Sequence, residues 1–171
     1  VTRARQGDST AFEQLAMQHV TNLYRIATAM VGAADARDVT QETLVAAWRQ
    51  LPRLRDDGRF EPWLRQICVN RCRNELRRRA RHPETNNLLA DAFETHRASS
   101  ADPSALDRRL AVSDALAVLP PTQRAVVVLH YFVGLPLREV AGTLAIPEGT
   151  VKSRLGAALT QLRAAFPEGE A

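Results

Sequence analysis

The sequence predicts an all-α protein: two small helical domains joined by a flexible linker, with a helix-turn-helix near the C-terminus. Three observations predict this. Aromatic residues make up only 5% of the 171 residues while the hydrophobic share is 45%, so a packed core must be built mostly from Leu, Val and Ala. That composition favours helix over sheet. Apolar residues recur at helical spacing in the long segments. Charge is also placed unevenly: residues 1–51 are neutral, 52–82 carry net +6, 83–107 carry net −4 and 108–171 carry net +2. A neutral block, a basic block, an acidic connector and a mildly basic block suggest domains at 1–82 and 106–171 with a linker at 83–105.

Taken in order, residues 1–8 read as a short polar arm. Asp8 or Ser9 can cap a helix whose apolar face is Phe12, Leu15, Ala16, Leu23, Ile26, Ala27 and Met30, and Gly32 ends it. A second helix spans about Ala34 to Leu51. Val39, Thr43, Leu44, Ala47, Trp48 and Leu51 form its inner half, while Asp35, Asp38, Glu42 and Arg49 form an exposed, mainly acidic stripe. A polar loop, Pro52 to Phe60, leads into a third helix. Pro62 suits its first turn, and Trp63, Leu64, Ile67 and Cys68 make one apolar face. Phe60 is expected to pack inward. Beyond that face come Arg71, Arg73, Arg77, Arg78, Arg79 and Arg81, with only Glu75 to offset them. A helix that plugs its first half into a core and presents arginine from its second suits a polyanion such as a nucleic-acid backbone. A solvated basic helix end gives the same pattern.

Residues 82–105 carry turn and linker chemistry: Pro83, paired Asn, Ser and Pro103. A helix from Leu106 is stopped by Pro120-Pro121, a second runs from Thr122 to Phe132, and Gly134 ends it. His130 is expected to be structural. A short helix from Leu137 to Leu144, a turn at Ala145–Pro147 and a last helix from Glu148 to Arg163 complete a helix-turn-helix, whose second helix enters a major groove by its N-terminal part. Its outward residues near the start are Thr150, Lys152, Ser153, Arg154 and Gly156. Arg and Lys read guanine or grip phosphate, and Ser and Thr serve either role.

Asp35 to Trp48, DARDVTQETLVAAW, followed by a short loop and FEPWLRQICVNRCRNELRRR, resembles the N-terminal domain of a bacterial RNA polymerase sigma factor, most nearly the extracytoplasmic-function (ECF) class of the sigma-70 family. Leu119 to Ala125 and the pattern E-V-A…I-P-x-G-T-V-K-S-R-L at Glu139 to Leu155 resemble the C-terminal domain of the same class. The resemblance implies that Asp35, Asp38, Gln41, Glu42 and Arg49 dock on the core RNA polymerase. It implies that Arg55, Asp56, Arg59, Asn70, Arg71, Asn74, Arg77, Arg78 and Arg79 engage the minus-ten element and the melted non-template strand. It implies that Arg138, Thr150, Lys152, Ser153 and Arg154 read double-stranded promoter DNA at the minus-thirty-five element. An anti-sigma factor as partner is likewise an implication of the family, as is a linker path near the polymerase's RNA exit. One departure is that the family often continues R-A-R after the S-R-L stretch, where this chain has Gly156-Ala157-Ala158.

No cofactor, metal or catalytic group is expected. Cys68 and Cys72, four apart on one helix, are too few for a zinc site without other ligands and read as small core residues. No nucleophile–base pair or paired acidic metal site is legible. No apolar run is long enough to cross a membrane and no signal-peptide core is present, so membrane insertion is not expected and a reducing cytoplasm fits. The rival reading is a two-domain helix-turn-helix regulator that dimerises on an operator without docking on polymerase; the acidic D-x-x-Q-E face counts against it.

Overall fold

The computed structural model describes residues 1–81 and 115–165, and every regular element within them is helical. The first module consists of α1 (Thr2–Arg5), α2 (Ser9–Val31), α3 (Ala33–Gln50) and α4 (Phe60–Arg81). Two 3-10 turns, Leu51–Arg53 and Asp57–Arg59, lie in the loop between α3 and α4. The second module holds α5 (Pro121–Val127), which widens into a π-helical turn over Val128–Phe132, then α6 (Leu137–Leu144) and α7 (Glu148–Ala165). The expected linker at 83–105 and most of the helix expected from Leu106 lie outside the described residues.

The helix ends follow from local chemistry. Asp8 caps α2 by accepting the Ala11 amide at 2.9 Å, which satisfies one of the orphan donors of a helix start. Gly32, at φ 87°, serves both as the C-cap of α2 and as the N-cap of α3; an L-side chain there would be strained. Ala145 closes α6 in the left-handed region, φ 52°, a position that usually falls to glycine. The polar arm expected at residues 1–8 is in fact partly helical. Its Ala4 is buried, and four residues are too few for a periodic signal.

The core of the first module is built from α2, α3 and α4. Ile26, Met30, Leu51, Leu64 and Val69 are fully buried, each such side chain contributing about 1.5–3 kcal/mol relative to exposure. Phe60 is buried as expected, with its ring 5.8 Å from Trp63 and 5.5 Å from His19. Cys68 and Cys72 are buried free thiols. The hydrogen bond that Cys72 donates to the Cys68 sulfur, together with burial, holds the Cys72 thiol well above its ordinary value, which suits a packing role rather than a nucleophilic one. Thr40 and Thr43 satisfy their buried hydroxyls by donating to the Ala36 and Val39 carbonyls at 2.7 Å each.

The second module packs around Val126, Leu129, Val140 and Val151. His130 is structural, as expected: its Nδ1 donates to the Leu135 carbonyl at 2.8 Å. The two modules touch. α4 packs against α5 and α6, and α2 meets the turn at 128–132. Arg124 donates to the Met30 carbonyl at the end of α2 (2.7 Å) and, within its own module, to the carbonyls of Ala117 (2.8 Å) and Leu119 (3.2 Å). Arg25 lies over the Phe132 ring at 5.2 Å.

Candidate functional site

Three charged surfaces emerge. The first is on α3. Its inner positions are consumed by the core, which leaves Asp38, Gln41, Glu42, Val45, Arg49 and Gln50 exposed. With Ala46 and Arg71 they line one cleft of about 450 Å³. Asp38, Gln41, Glu42 and Arg49 therefore share a face, as the sequence led one to expect. Asp35 departs from that expectation: it is half-buried and ion-paired with Arg79. Val45, 44% exposed in the middle of this face, was not singled out from the sequence. It lies one helical turn from Gln41 and Arg49, a spacing that could have flagged it.

The second surface is the loop and α4. Arg55, Asp56 and Arg59 are exposed at the loop, and Asp56 accepts the Gly58 amide at 2.9 Å, which shapes the 3-10 turn. On α4, Asn70, Asn74, Arg77 and Arg78 are exposed, and Asn74, Arg77, Arg78 and Arg81 line a shallow cleft of about 250 Å³. Three expected DNA contacts are engaged inside the protein. Arg71 sits 3.7 Å from Glu42 and faces the α3 cleft. Arg78 makes a two-pronged pair with Glu75 at 2.8 Å per bond, and that pairing raises its pKa. Arg79 bridges Asp35 and Glu75, and burial lowers its pKa. Arg65, not flagged in the sequence, is buried and paired to Glu61 at 2.8 Å one turn earlier.

The third surface is the helix-turn-helix. α6, the Ala145–Pro147 turn and α7 occur where the sequence placed them. Arg138, Lys152 and Ser153 are exposed, while Thr150 and Arg154 are half-buried. Lys152 pairs with Glu148 at 2.9 Å on the helix surface. Val151 and Ala158 are buried, with Leu155, Leu159 and Leu162 half-buried, so one face of α7 packs inward and the opposite face is left for a ligand. Burial lowers the pKa of Arg73, and the nearby charges of Arg77 and Arg154 lower it further. The basic end of α4 and the start of α7 thus lie close enough to repel. No group of His, Cys, Asp and Glu among the described residues could hold a metal ion.

Comparison with known proteins agrees with this geometry. Residues 15–82 match the Sigma-70 region 2 family, and residues 109–162 match the Sigma-70 region 4 family. The ECF RNA polymerase sigma factor SigM of Mycobacterium tuberculosis is 36% identical over 158 residues, covering 91% of this chain and 77% of that protein. The ECF RNA polymerase sigma-E factor of Haemophilus influenzae is 31% identical over 166 residues, covering 91% and 87%. Among solved structures, CnrH in complex with the cytosolic domain of CnrY superposes with a TM-score of 0.70 at 28% identity, covering 99% of this chain and 96% of that one. The fold and its charged surfaces define a member of the sigma-70 family. Within that family, the chain belongs to the ECF RNA polymerase sigma factors.

Proposed function

We propose that the chain works as a non-enzymatic initiation factor in the cytoplasm, with its tasks divided among the three surfaces. Asp38, Gln41, Glu42 and Arg49 on α3, joined by Arg71, dock on core RNA polymerase. The loop residues Arg55, Asp56 and Arg59, with Asn70, Asn74, Arg77 and Arg78 on α4, hold the minus-ten element and its melted non-template strand. Arg138, Thr150, Lys152, Ser153 and Arg154 read the minus-thirty-five element. The domains are those read from the sequence, 1–82 and 106–171, joined by the segment at 83–105. One observation carries this reading: an exposed carboxylate face on a rigid helix lies in the same chain as a basic helix and a helix-turn-helix, in the order of sigma regions 2 and 4. A DNA regulator acting alone has no use for that face.

Physical chemistry supports the division. Opening a duplex requires bases to leave the stack, which costs a few kcal/mol per step and has to be offset by a pocket and phosphate contacts. Exposed arginines beside a polar loop supply both. The two DNA elements lie about two helical turns apart, about 70 Å. With α6 against α4 and Arg154 near Arg73, the two DNA-reading surfaces cannot reach both elements at once, so promoter binding requires the second module to leave α4. An anti-sigma factor, the partner the family resemblance implies, would act on the chain before that step. In vitro transcription with core polymerase, with and without the chain, tests the reading. Promoter-specific transcripts that depend on the chain are expected, whereas operator binding with no effect on core polymerase would favour the rival regulator.

A further inference from the structure

The N-terminal segment ends on the loop that the proposed function assigns to promoter opening. Arg5 Nη1 donates to the Leu54 carbonyl at 2.9 Å and pairs with Asp57 Oδ1 at 3.1 Å. Thr2 Oγ1 donates to the other Asp57 oxygen, Oδ2, at 2.5 Å. Leu54 and Asp57 flank Arg55 and Asp56, so a single guanidinium grips both shoulders of the loop tip. α1 itself is anchored: Ala4 is buried at 2% exposure, and Arg3 pairs with Asp8, the cap of α2, at 2.7 Å. The chain of contacts therefore runs from the rigid α2, through α1, to the loop. Arg5 and Asp57 are each about two-thirds shielded, at 33% and 31% side-chain exposure, so this contact is better protected from solvent than the Arg3–Asp8 pair, whose arginine is 79% exposed.

We infer that Thr2 and Arg5 are positioning residues for promoter opening: they brace the loop so that Arg55, Asp56 and Arg59 face the melted strand, and Arg5 offsets the Asp57 charge that would otherwise repel DNA. This rests on the assignment of the loop to the minus-ten element. A loop that samples many conformations pays an ordering cost when it binds, and a loop already stapled at both shoulders avoids most of it. Among the described residues Arg55 and Arg59 are exposed and make no ion pair, and Arg59 lines a cleft of about 780 Å³ whose far side carries Arg138 of α6. Both contacts run through one nitrogen, Nη1: it donates to the Leu54 carbonyl, and its contact with Asp57 Oδ1 is ionic, that oxygen having no hydrogen-bond partner. A lysine ammonium, a compact and strongly hydrated charge on a flexible stem, would hold the two less firmly.

The test uses the full chain with core polymerase on a promoter carrying a fluorescent base in the minus-ten region. Arg5→Ala and Asp57→Asn are each expected to lower the open-complex fraction about three- to tenfold, the loss of one charge-assisted contact. Arg5→Lys is expected to fall between Arg5→Ala and the parent. Affinity for core polymerase and for upstream duplex DNA should be unchanged. Hydrogen exchange should accelerate at residues 51–59 while α2 to α4 keep their protection, which separates a local brace from general unfolding. Arg59→Ala serves as the control for the underlying assignment. If Arg59→Ala abolishes opening and neither Arg5→Ala nor Asp57→Asn alters it, the brace is wrong and the loop assignment stands. If Arg59→Ala also leaves opening intact, the loop assignment fails and the brace fails with it.

Discussion

Arg77 and Arg79 stand two positions apart on α4 and face different surroundings. Arg77 is exposed in the basic cleft, whereas Arg79 is half-buried between Asp35 and Glu75. Arg77→Ala is expected to reduce the salt dependence of promoter binding by about one counterion with little change in stability. Arg79→Ala is expected to lower Tm while leaving that salt slope nearly unchanged, because it leaves the half-buried Asp35 carboxylate without its partner, while Glu75 keeps Arg78. Titrations across salt concentrations and thermal melts of both variants check the contrast. The sequence could not separate these two arginines. An i, i+4 spacing reveals Arg79 beside Glu75, but its pairing with Asp35, like that of Arg71 with Glu42, depends on how α4 crosses α3. Arg65 differs: its partner Glu61 stands four positions before it, but its burial depends on how α4 packs, which local spacing does not give.

At the scale of the element, punctuation was the most readable signal. Asp8, Gly32, Pro62 and the Ala145–Pro147 turn fix helix ends that the structure reproduces within a residue or two, because capping and ring chemistry act locally. α1 and the π-helical turn at Val128–Phe132 were not readable: four residues carry no period, and the π-turn, which packs against α2, has no local sequence signature. Two predictions belong here. The Ala11 amide, and then Arg3, hold the Asp8 carboxyl below its ordinary value of 3.8. Its contribution to stability is therefore present above about pH 3.8 and lost as pH falls through the lower folded value. Asp8→Ala should lower Tm at neutral pH, with the difference from the parent shrinking in acid melts. On α7, a methyl added at Gly156 meets nothing within 4 Å. Gly156→Ala should therefore stabilise the helix by about 0.5–1 kcal/mol. Because a residue without a side chain lets a DNA backbone come close to this exposed face of α7, the same change should weaken binding to upstream-element DNA. Denaturant melts and DNA titrations check the two effects separately.

For the molecule as a whole, the sequence carried the order of surfaces and missed their embrace. The acidic α3 face, the basic α4 end and the helix-turn-helix each follow from composition and period. That Arg124 would reach the Met30 carbonyl at the end of α2, or that Arg25 would cover Phe132, depends on tertiary contacts with no local signature. The packed modules imply a large change on the way to a promoter. Dyes placed on exposed positions of α3 and α7 should move apart by tens of ångströms when core polymerase and promoter DNA bind; an unchanged distance would contradict the need for separation. The central claim, that the α3 face joins this chain to polymerase, is tested most directly by titrating the labelled chain with core RNA polymerase. The parent should bind tightly, and the double variant Asp38→Arg/Glu42→Arg should lose at least about a hundredfold in affinity with its melting profile preserved. Equal affinity of the two proteins for the core enzyme would contradict it.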